Sequence, residues 1–314
     1  MSALICGSMA FDTIMVFSGH FKNEILPDKV HMLNVAFLVP ELRREFGGTA
    51  GNIAYNLHML GGEALPMATV GRDFDSYVAW LDKNGIRRDH LKVIAETYTA
   101  QAYITTDMDD NQITAFHPGA MNHAHTQSIV TKSATGPVKI GSVSPDGREG
   151  MLLHASQFAD AGIPFLFDPG QGLPMFTGEE LKDFINKASY VAVNDYESEI
   201  LITRTGWSLK QIAERVDALI VTRGGKGSQI TVKSKTYDIP AATANSLADP
   251  TGCGDAYRGG LLYGLLRGLD WETTGRIASL MGAIKIERPG PQNHVISLDK
   301  FKARFKKEFR YDLQ

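Results

Sequence analysis

Residues 248–268 read ADPTGCGDAYRGGLLYGLLRG. Gly252, Cys253 and Gly254 stand immediately before an apolar helix that begins near Asp255. Consecutive small residues at a helix N-terminus leave backbone N–H groups pointing outward, a nest suited to an anion. A carboxylate beside such a nest can take up a proton while the amides hold developing negative charge. The competing reading is that Asp255 only caps its helix, a common task for Asp. Cys253 shares the nest, where a helix dipole lowers a thiol pKa. No His accompanies it in sequence to make it a nucleophile.

Outward from this stretch, short apolar runs alternate with amphipathic ones. Strands are predicted at 4–6, 64–70, 102–106, 164–167, 190–193, 218–221 and 229–232. Helices are predicted at 51–60, 76–84, 177–188, 196–203, 209–216, 256–267 and 271–286. Strands interleaved with helices predict βαβ units, a mostly parallel central sheet and, through right-handed crossovers, helices on both faces. No repeat, low-complexity tract or linker appears, so residues 1–314 are expected to form a single α/β domain. Two segments break the alternation. Residues 13–46 carry Phe17, Phe21, Phe37 and Leu38 among scattered charges, and 97–118 look strand-like about a DMDDNQ turn. They form either a small β-sheet lid over the main domain or a hairpin and a long surface loop.

Composition narrows the function. The net charge of −3 leaves no electrostatic footprint for nucleic acid or an anionic membrane. Cys6 and Cys253 are too few for a disulfide framework or a thiolate metal site, which fits a reducing cytoplasm. The apolar start, MSALICGSMAFDTIMVF, lacks a basic leader and carries Asp12, so it reads as a buried first strand rather than a signal peptide. No run of about 18 uncharged apolar residues is present to span a membrane. A cytoplasmic globular protein is expected.

Three further loops carry chemistry-bearing residues. VTRGGKGS, residues 221–228, offers amides and Lys226 to a phosphate after a short strand, or makes a plain hairpin turn. It is not a Walker loop, and no strand leads into G-x-G-x-x-G, which removes a dehydrogenase reading. REFGGTAGNIAYNLHMLGG, residues 44–62, puts Gly47 and Gly48 before a helix with Asn52 on its first turn. Small residues there admit a ligand closely and an amide side chain can bridge sugar hydroxyls; the alternative is a tightly packed helix start. Asn194 and Glu197 follow the strand YVAV, where open α/β sheets bind ligands. They either hold hydrated Mg²⁺ or make an ordinary acidic helix N-terminus. His117, His123 and His125 match no zinc-ligand spacing and read as a solvent-facing turn.

The order of these signals is more informative than any one of them. Asp12 after the first strand, GG-x-x-x-N at 47–52, N-x-x-E at 194–197, T-x-G-x-x-G at 222–227 and D-P-T-G-x-G-D at 249–255 together resemble the ribokinase-like (PfkB) carbohydrate kinase family. The resemblance runs from Leu4 to about Ile296; the family's two signature regions match residues 47–62 and 249–262, and the second is highly specific. It implies a ribokinase-like fold with a β-sheet lid and an ATP-dependent kinase. By matched position, Asp255 would be the catalytic base, with the amides of Gly252, Cys253 and Gly254 as the anion hole. Asp12, Gly48 and Asn52 would hold the acceptor hydroxyls. Asn194 and Glu197 would organise the triphosphate and Mg²⁺, and Thr222, Gly224 and Gly227 would line the nucleotide loop. The family also binds a monovalent cation such as K⁺, for which Asp249, Thr251 and the RPGPQ stretch at 288–292 are the matching residues. Two departures stand out: Cys253, where the family has Gly, Ala or Ser, and the DPG at 168–170, where many relatives have D-x-N.

The acceptor follows from the lid. A nucleoside needs an apolar slot for its base in addition to hydrogen bonds for its ribose, and the lid candidate carries aromatics. The HPGAM string at 117–121 also resembles the P-G-A segment of adenosine-kinase-like members. The expected activity is phosphorylation of a nucleoside 5′-hydroxyl, with Phe37, Tyr103 and Phe116 as candidates to contact the base. The alternatives are a ribokinase- or fructokinase-type sugar kinase and a catalytically silent nucleotide-binding regulator. A homodimer through the lid is the expected assembly.

Overall fold

A computed structural model describes residues 2–25, 27–109, 111–134 and 136–313, so the DMDDNQ turn lies partly outside the described residues. The first part of the chain runs β1 (Ser2–Cys6), β2 (Ala10–Val16), α1 (Phe21–Glu24), β3 (Glu41–Gly47), α2 (Thr49–Met59), β4 (Glu63–Gly71), α3 (Asp75–Lys83) and β5 (His90–Ile94). There follow β6 (Ala100–Thr106), β7 (Gln112–His117), β8 (Lys132–Ser133), β9 (Gly136–Val143), α4 (Arg148–Asp160) and β10 (Phe165–Phe167). The remainder runs α5 (Gly178–Lys187), β11 (Tyr190–Asn194), α6 (Asp195–Thr205), α7 (Leu209–Ala213), β12 (Ala218–Thr222), β13 (Ser228–Val232) and β14 (Lys235–Ile239). Three helices close it: α8 (Cys253–Arg267), α9 (Trp271–Ile286) and α10 (Leu298–Phe309).

The large sheet has the order β14-β13-β12-β11-β10-β9-β1-β4-β5, with β8 paired to β9. Strands β12 through β5 along that order are parallel, and β13 and β14 add an antiparallel hairpin at one edge. Period-two alternation distributes side chains to both faces. Ala3 and Ile5 of β1 join the apolar layer under α2, α8, α9 and α10, whereas Leu4 and Cys6 join the layer under α4 and α5. The sheet is therefore buried on both faces, the arrangement that parallel strands require. The expected helix at 209–216 is shorter, ending at Ala213.

Strands β5, β8 and β14 and the short α1 were not read from sequence, and neither were three larger elements. Strand β9, GPVKIGSV, lies beside β1 at the middle of the sheet, although its Gly and Pro punctuation marks it as loop. Helix α4 carries apolar and polar residues with little segregation (REGMLLHASQFAD). Helix α10 buries only two side chains fully, Phe301 and Phe305, one turn apart.

The lid is a separate four-stranded sheet, β3-β2-β6-β7. Its first segment begins slightly earlier than the sequence suggests, since β2 starts at Ala10, and the strands of its second segment begin at Ala100. Phe17, Phe21 and Phe37 pack against one another with ring centroids 5.0–6.0 Å apart, forming the lid's own small core. No helix among the described residues is long and apolar enough to cross a membrane.

The loop leaving β9 places Asp146 beside the start of α2, where Thr49 Oγ1 donates to the Pro145 carbonyl at 3.0 Å. Asp146 is buried, its Oδ2 has no partner, and burial raises its pKa to about 8. The unfolded carboxyl ionises near 4, so between pH 4 and 8 folding takes up a proton here and this group's contribution to stability falls as pH rises. Asp146→Asn is expected to stabilise the fold by about 1–3 kcal/mol at pH 8 and by less at pH 5. Thermal unfolding at the two pH values checks this, and an equal effect at both would remove the assignment.

Candidate active site

Helix α8 starts where the chain must turn sharply. Gly252 is its N-cap at φ 79°, and a Cβ there would lie 2.8 Å from Pro291 Cβ. Gly254 is open, with nothing within 4 Å of the position of a Cβ. The amides of Gly252 and Gly254 meet no described acceptor. The Cys253 amide, expected to join them, instead donates to the Pro250 carbonyl at 3.1 Å. As the molecule stands, the nest is made by the amides flanking Cys253. The thiol is not activated, because burial raises its pKa to about 11.

Asp255 lies one residue beyond the nest. Asn52 Nδ2 donates to its Oδ2 at 2.8 Å, joining the first turn of α2 to the first turn of α8. Asn52 is held in turn, since its Oδ1 accepts from Gln292 Nε2 at 2.9 Å. Gln292 Nε2 also donates to Tyr77 Oη at 2.6 Å, and Gln292 Oε1 accepts from Trp80 Nε1 at 2.9 Å. Tyr77 Oη donates to the Gly47 carbonyl at 2.8 Å, which ties the chain of bonds to the end of β3. One Nδ2 hydrogen of Asn52 remains for an incoming hydroxyl. Burial raises the Asp255 pKa to about 7; the Asn52 hydrogen bond and the Arg258 charge oppose that rise, and Asp168 and Asp12 add to it.

The lid supplies the other wall. The Gly48 N-cap of α2, at φ 84°, lets the chain pass within 2.5 Å, measured from a notional Cβ, of the Met9 backbone where β2 begins. Asp12 lies in a row across the lid sheet, Glu45–Asp12–Ala102–Phe116, set by the strand register. Its pKa is raised to about 6 by burial and by the neighbouring Glu45 and Asp249 carboxylates. No described residue bonds to its carboxylate. Phe116 shares this face and is 53% exposed. Tyr103 does not share it, because the register puts Tyr103 in the row of Thr13 and Arg44 on the opposite face. There it donates to Gln101 Oε1 at 2.7 Å and lines a separate cavity of about 310 Å³. Phe37 belongs to the lid core rather than to the Asp12 row.

At the carboxyl ends of the adjacent strands β10, β11 and β12, Asn194 stands opposite Thr222 and Asp168 follows directly on β10, the usual place for a ligand in an open α/β fold. Asn194 and Glu197 form a reciprocal capping box with two 2.7 Å bonds, so the cap reading is realised. Asn194 Nδ2 and Glu197 Oε1 stay without a described partner, and burial raises the Glu197 pKa. Gly224 and Gly227 hold the exposed loop after Thr222. Sequence reasoning missed Arg258, which is 4% exposed and donates to Asp168 Oδ1 at 2.9 Å and to the Ala192 carbonyl at 3.2 Å. Its Nε and Nη1 are buried without partners. This pair gives Asp168 of the DPG stretch a role: it holds the cation that sits among Asp255, Glu197 and itself.

On the loop ahead of the nest, the Asp249 carboxylate accepts from the Thr251 amide and from the Gly290 amide, each at 2.8 Å. His123 and His125 are stacked neighbours and bind nothing described. Among the described residues, the group close enough to share a metal is His20, Asp107 and Asp109 in the lid. Lys22 Nζ already lies 2.8 Å from Asp109 there.

A family model described as pfkB family carbohydrate kinase matches residues 13–297. The nucleoside kinase of Methanocaldococcus jannaschii is 34% identical over 276 residues, covering 87% of this chain and 90% of its own. The nucleoside kinase of Burkholderia thailandensis, solved in complex with inosine, is 50% identical with a TM-score of 0.89 and 99% of each chain covered. The same enzyme solved with ADP-inosine is 52% identical, with a TM-score of 0.87 and 100% and 98% covered.

In the free protein the Asp255 carboxyl is expected to titrate near pH 7. Asn52→Ala removes a donor to the charged form and moves the midpoint higher. Carbon-detected NMR of labelled aspartate reads both, and an Asp255 midpoint near 4 would discard the buried-base geometry.

Proposed function

Because this chain belongs to the pfkB family of carbohydrate kinases, we propose that it transfers the γ-phosphoryl group of ATP to the 5′-hydroxyl of a nucleoside. The observation that carries this reading is the position of Asp255: held by Asn52, next to the open amides of Gly252 and Gly254, with a pKa raised to about 7. A base so tuned is deprotonated over much of the neutral range and still able to take a hydroxyl proton. The kcat/KM profile then falls below pH 7 and levels above it.

The steps follow from the residues. Asp12 and the free Nδ2 hydrogen of Asn52 orient the ribose hydroxyls, and Phe116, in the Asp12 row, lies against the base. The 5′-oxygen attacks the γ-phosphorus in line as its proton passes to Asp255, and ADP leaves with the electrons of the broken P–O bond. The Gly252 and Gly254 amides hold charge on the equatorial oxygens, where phosphoryl transfer places it. The Cys253 amide can join them only by leaving Pro250. Thr222, Gly224 and Gly227 hold the nucleotide. The free oxygen of Glu197, with Asn194 beside it, fits a hard cation that keeps most of its waters. Held there, Mg²⁺ would supply charge neutralisation on the phosphates.

The acceptor class rests on Phe116 and on the activity of the relatives. ADP release is to be measured with Mg-ATP against adenosine, inosine, guanosine, cytidine, ribose and fructose. Turnover is expected on nucleosides; turnover on free sugars alone would keep the phosphotransferase and leave Phe116 with no base to contact. Asp255→Asn is expected to lower kcat by about 10²–10⁴-fold with the fold retained, the scale of a general base. Near-normal activity in that variant would end the catalytic assignment.

We assign a second copy of the chain to the lid face opposite Asp12. That face exposes Leu42, Tyr103 and Ile113 at 64%, 41% and 43%. Sedimentation is expected to show a dimer that Leu42→Glu with Ile113→Glu converts to a monomer, and a monomeric parent protein would remove the assignment.

A further inference from the structure

Lys285 is fully buried. It lies on the last turn of α9, and its ammonium points back toward the loop ahead of the nest. Nζ donates to the Asp249 carbonyl at 2.7 Å and to the Arg288 carbonyl at 3.2 Å. Those two oxygens belong to the two segments that the family pattern assigns to a monovalent cation, the 249–251 loop and the 288–292 stretch. The Asp249 carboxylate is also occupied, by the Thr251 and Gly290 amides. The donor set for a bound K⁺ is therefore already taken up by groups of the chain, and the residues do not fit that ion.

We propose that the Lys285 ammonium is a built-in replacement for the monovalent cation, positioning the 249–254 loop so that its amides face the transferred phosphoryl group without bound K⁺. An ammonium ion and K⁺ are close in size and both are satisfied by carbonyl oxygens, so one can stand where the other would. Burying a lysine costs several kcal/mol unless its charge is compensated. Here two carbonyl dipoles and the nearby charges of Asp249 and Asp255 compensate it, while Arg43 opposes it. A purely packing role would be served as well by an apolar side chain, which needs no compensation. The ammonium also joins three parts of the backbone at one point: the end of α9, the start of the nest and the turn at 288–290. It acts through those amides and touches no reacting atom, so it is a positioning residue.

The role as a kinase positioner rests on the phosphotransferase reading; the cation-binding part does not. Turnover of the wild-type protein on its best nucleoside is to be compared in K⁺, in Na⁺ and in choline, with the melting temperature followed in the same salts. Neither quantity is expected to respond specifically to K⁺. A several-fold K⁺ stimulation, or a saturable rise in melting temperature with K⁺ alone, would overturn the proposal. Lys285→Ala opens an ammonium-sized space. It is expected to lose kcat by about 10–100-fold, the scale of displacing groups that orient a reaction, with the nucleoside KM little changed. K⁺ or NH₄⁺ should restore kcat and raise the variant's melting temperature where choline does neither. A folded variant that no cation rescues would reduce Lys285 to a structural residue. If the variant does not fold, the wild-type salt series still decides. Absence of ATP-dependent turnover in the wild type would instead count against the kinase reading, leaving the melting data to judge the ammonium.

Discussion

The 2.8 Å bond from Asn52 to Asp255 joins two helix N-termini that belong to distant parts of the chain, and the cleft is organised around it. It anchors the carboxylate through Oδ2 and leaves Oδ1 without a described partner. It also draws the Asp255 pKa down against the effect of burial, so that the group stays in a useful range. Such a bond is only as rigid as its supports. Gln292 holds the Asn52 Oδ1, is itself held by Tyr77 and Trp80, and through Tyr77 extends the order to Gly47 at the lid junction. A network of buried polar groups with every member paired specifies one geometry, and loss of one member leaves its neighbours unpaired at a cost of about 1–3 kcal/mol.

Two sheets divide the chemistry. The large parallel sheet is packed on both faces and presents Asp168, Asn194 and Thr222 from three neighbouring strands in fixed register. The lid sheet has its own aromatic core and presents Asp12 and Phe116 from another register. In the proposed reading the acceptor lies between Asp12 and Phe116 of the lid and Asn52 of α2, and the phosphate donor lies along the large sheet, with α2 and α8 meeting between them. Charge is concentrated at this meeting point. Asp12, Asp255, Asp168 and Glu197 crowd the cleft, and the buried cations Arg258 and Lys285 lie behind it on α8 and α9.

What the sequence conveyed was local. The nest and Asp255, the Gly48 turn, the Asn194–Glu197 box and the loop after Thr222 each occupy a few consecutive residues, and their order along the chain defines the family. What it hid were pairings made by the fold. Arg258 follows Asp255 in a helix where an arginine reads as a surface charge, and only the placement of β10 shows that it meets Asp168. Lys285 ends an apolar helix, where a lysine normally reaches for water; the Asp249 and Arg288 carbonyls take that water's place. Tyr103, an aromatic of the lid segment, was a candidate to contact the base, but a strand alternates faces at every residue, and the pairing with Thr13 puts it on the side away from Asp12. Gln292 looked like part of a cation loop and proves to be the support of Asn52.

The support from Gln292 reaches Asn52 across 240 residues of chain, and Tyr55 Oη is bound to the His294 carbonyl across 239. During synthesis, therefore, the sheet strands and most helices emerge and begin to pack long before Asn52 has anything to hold it in place. Contacts of such separation form late and slowly, so a nascent chain stalled before residue 285 would have most of its core but no ordered carboxylate and no ammonium behind the nest. The geometry around Asp255 is therefore completed only when residues 285–294 are in place, although they lie far along the chain from the residues they hold.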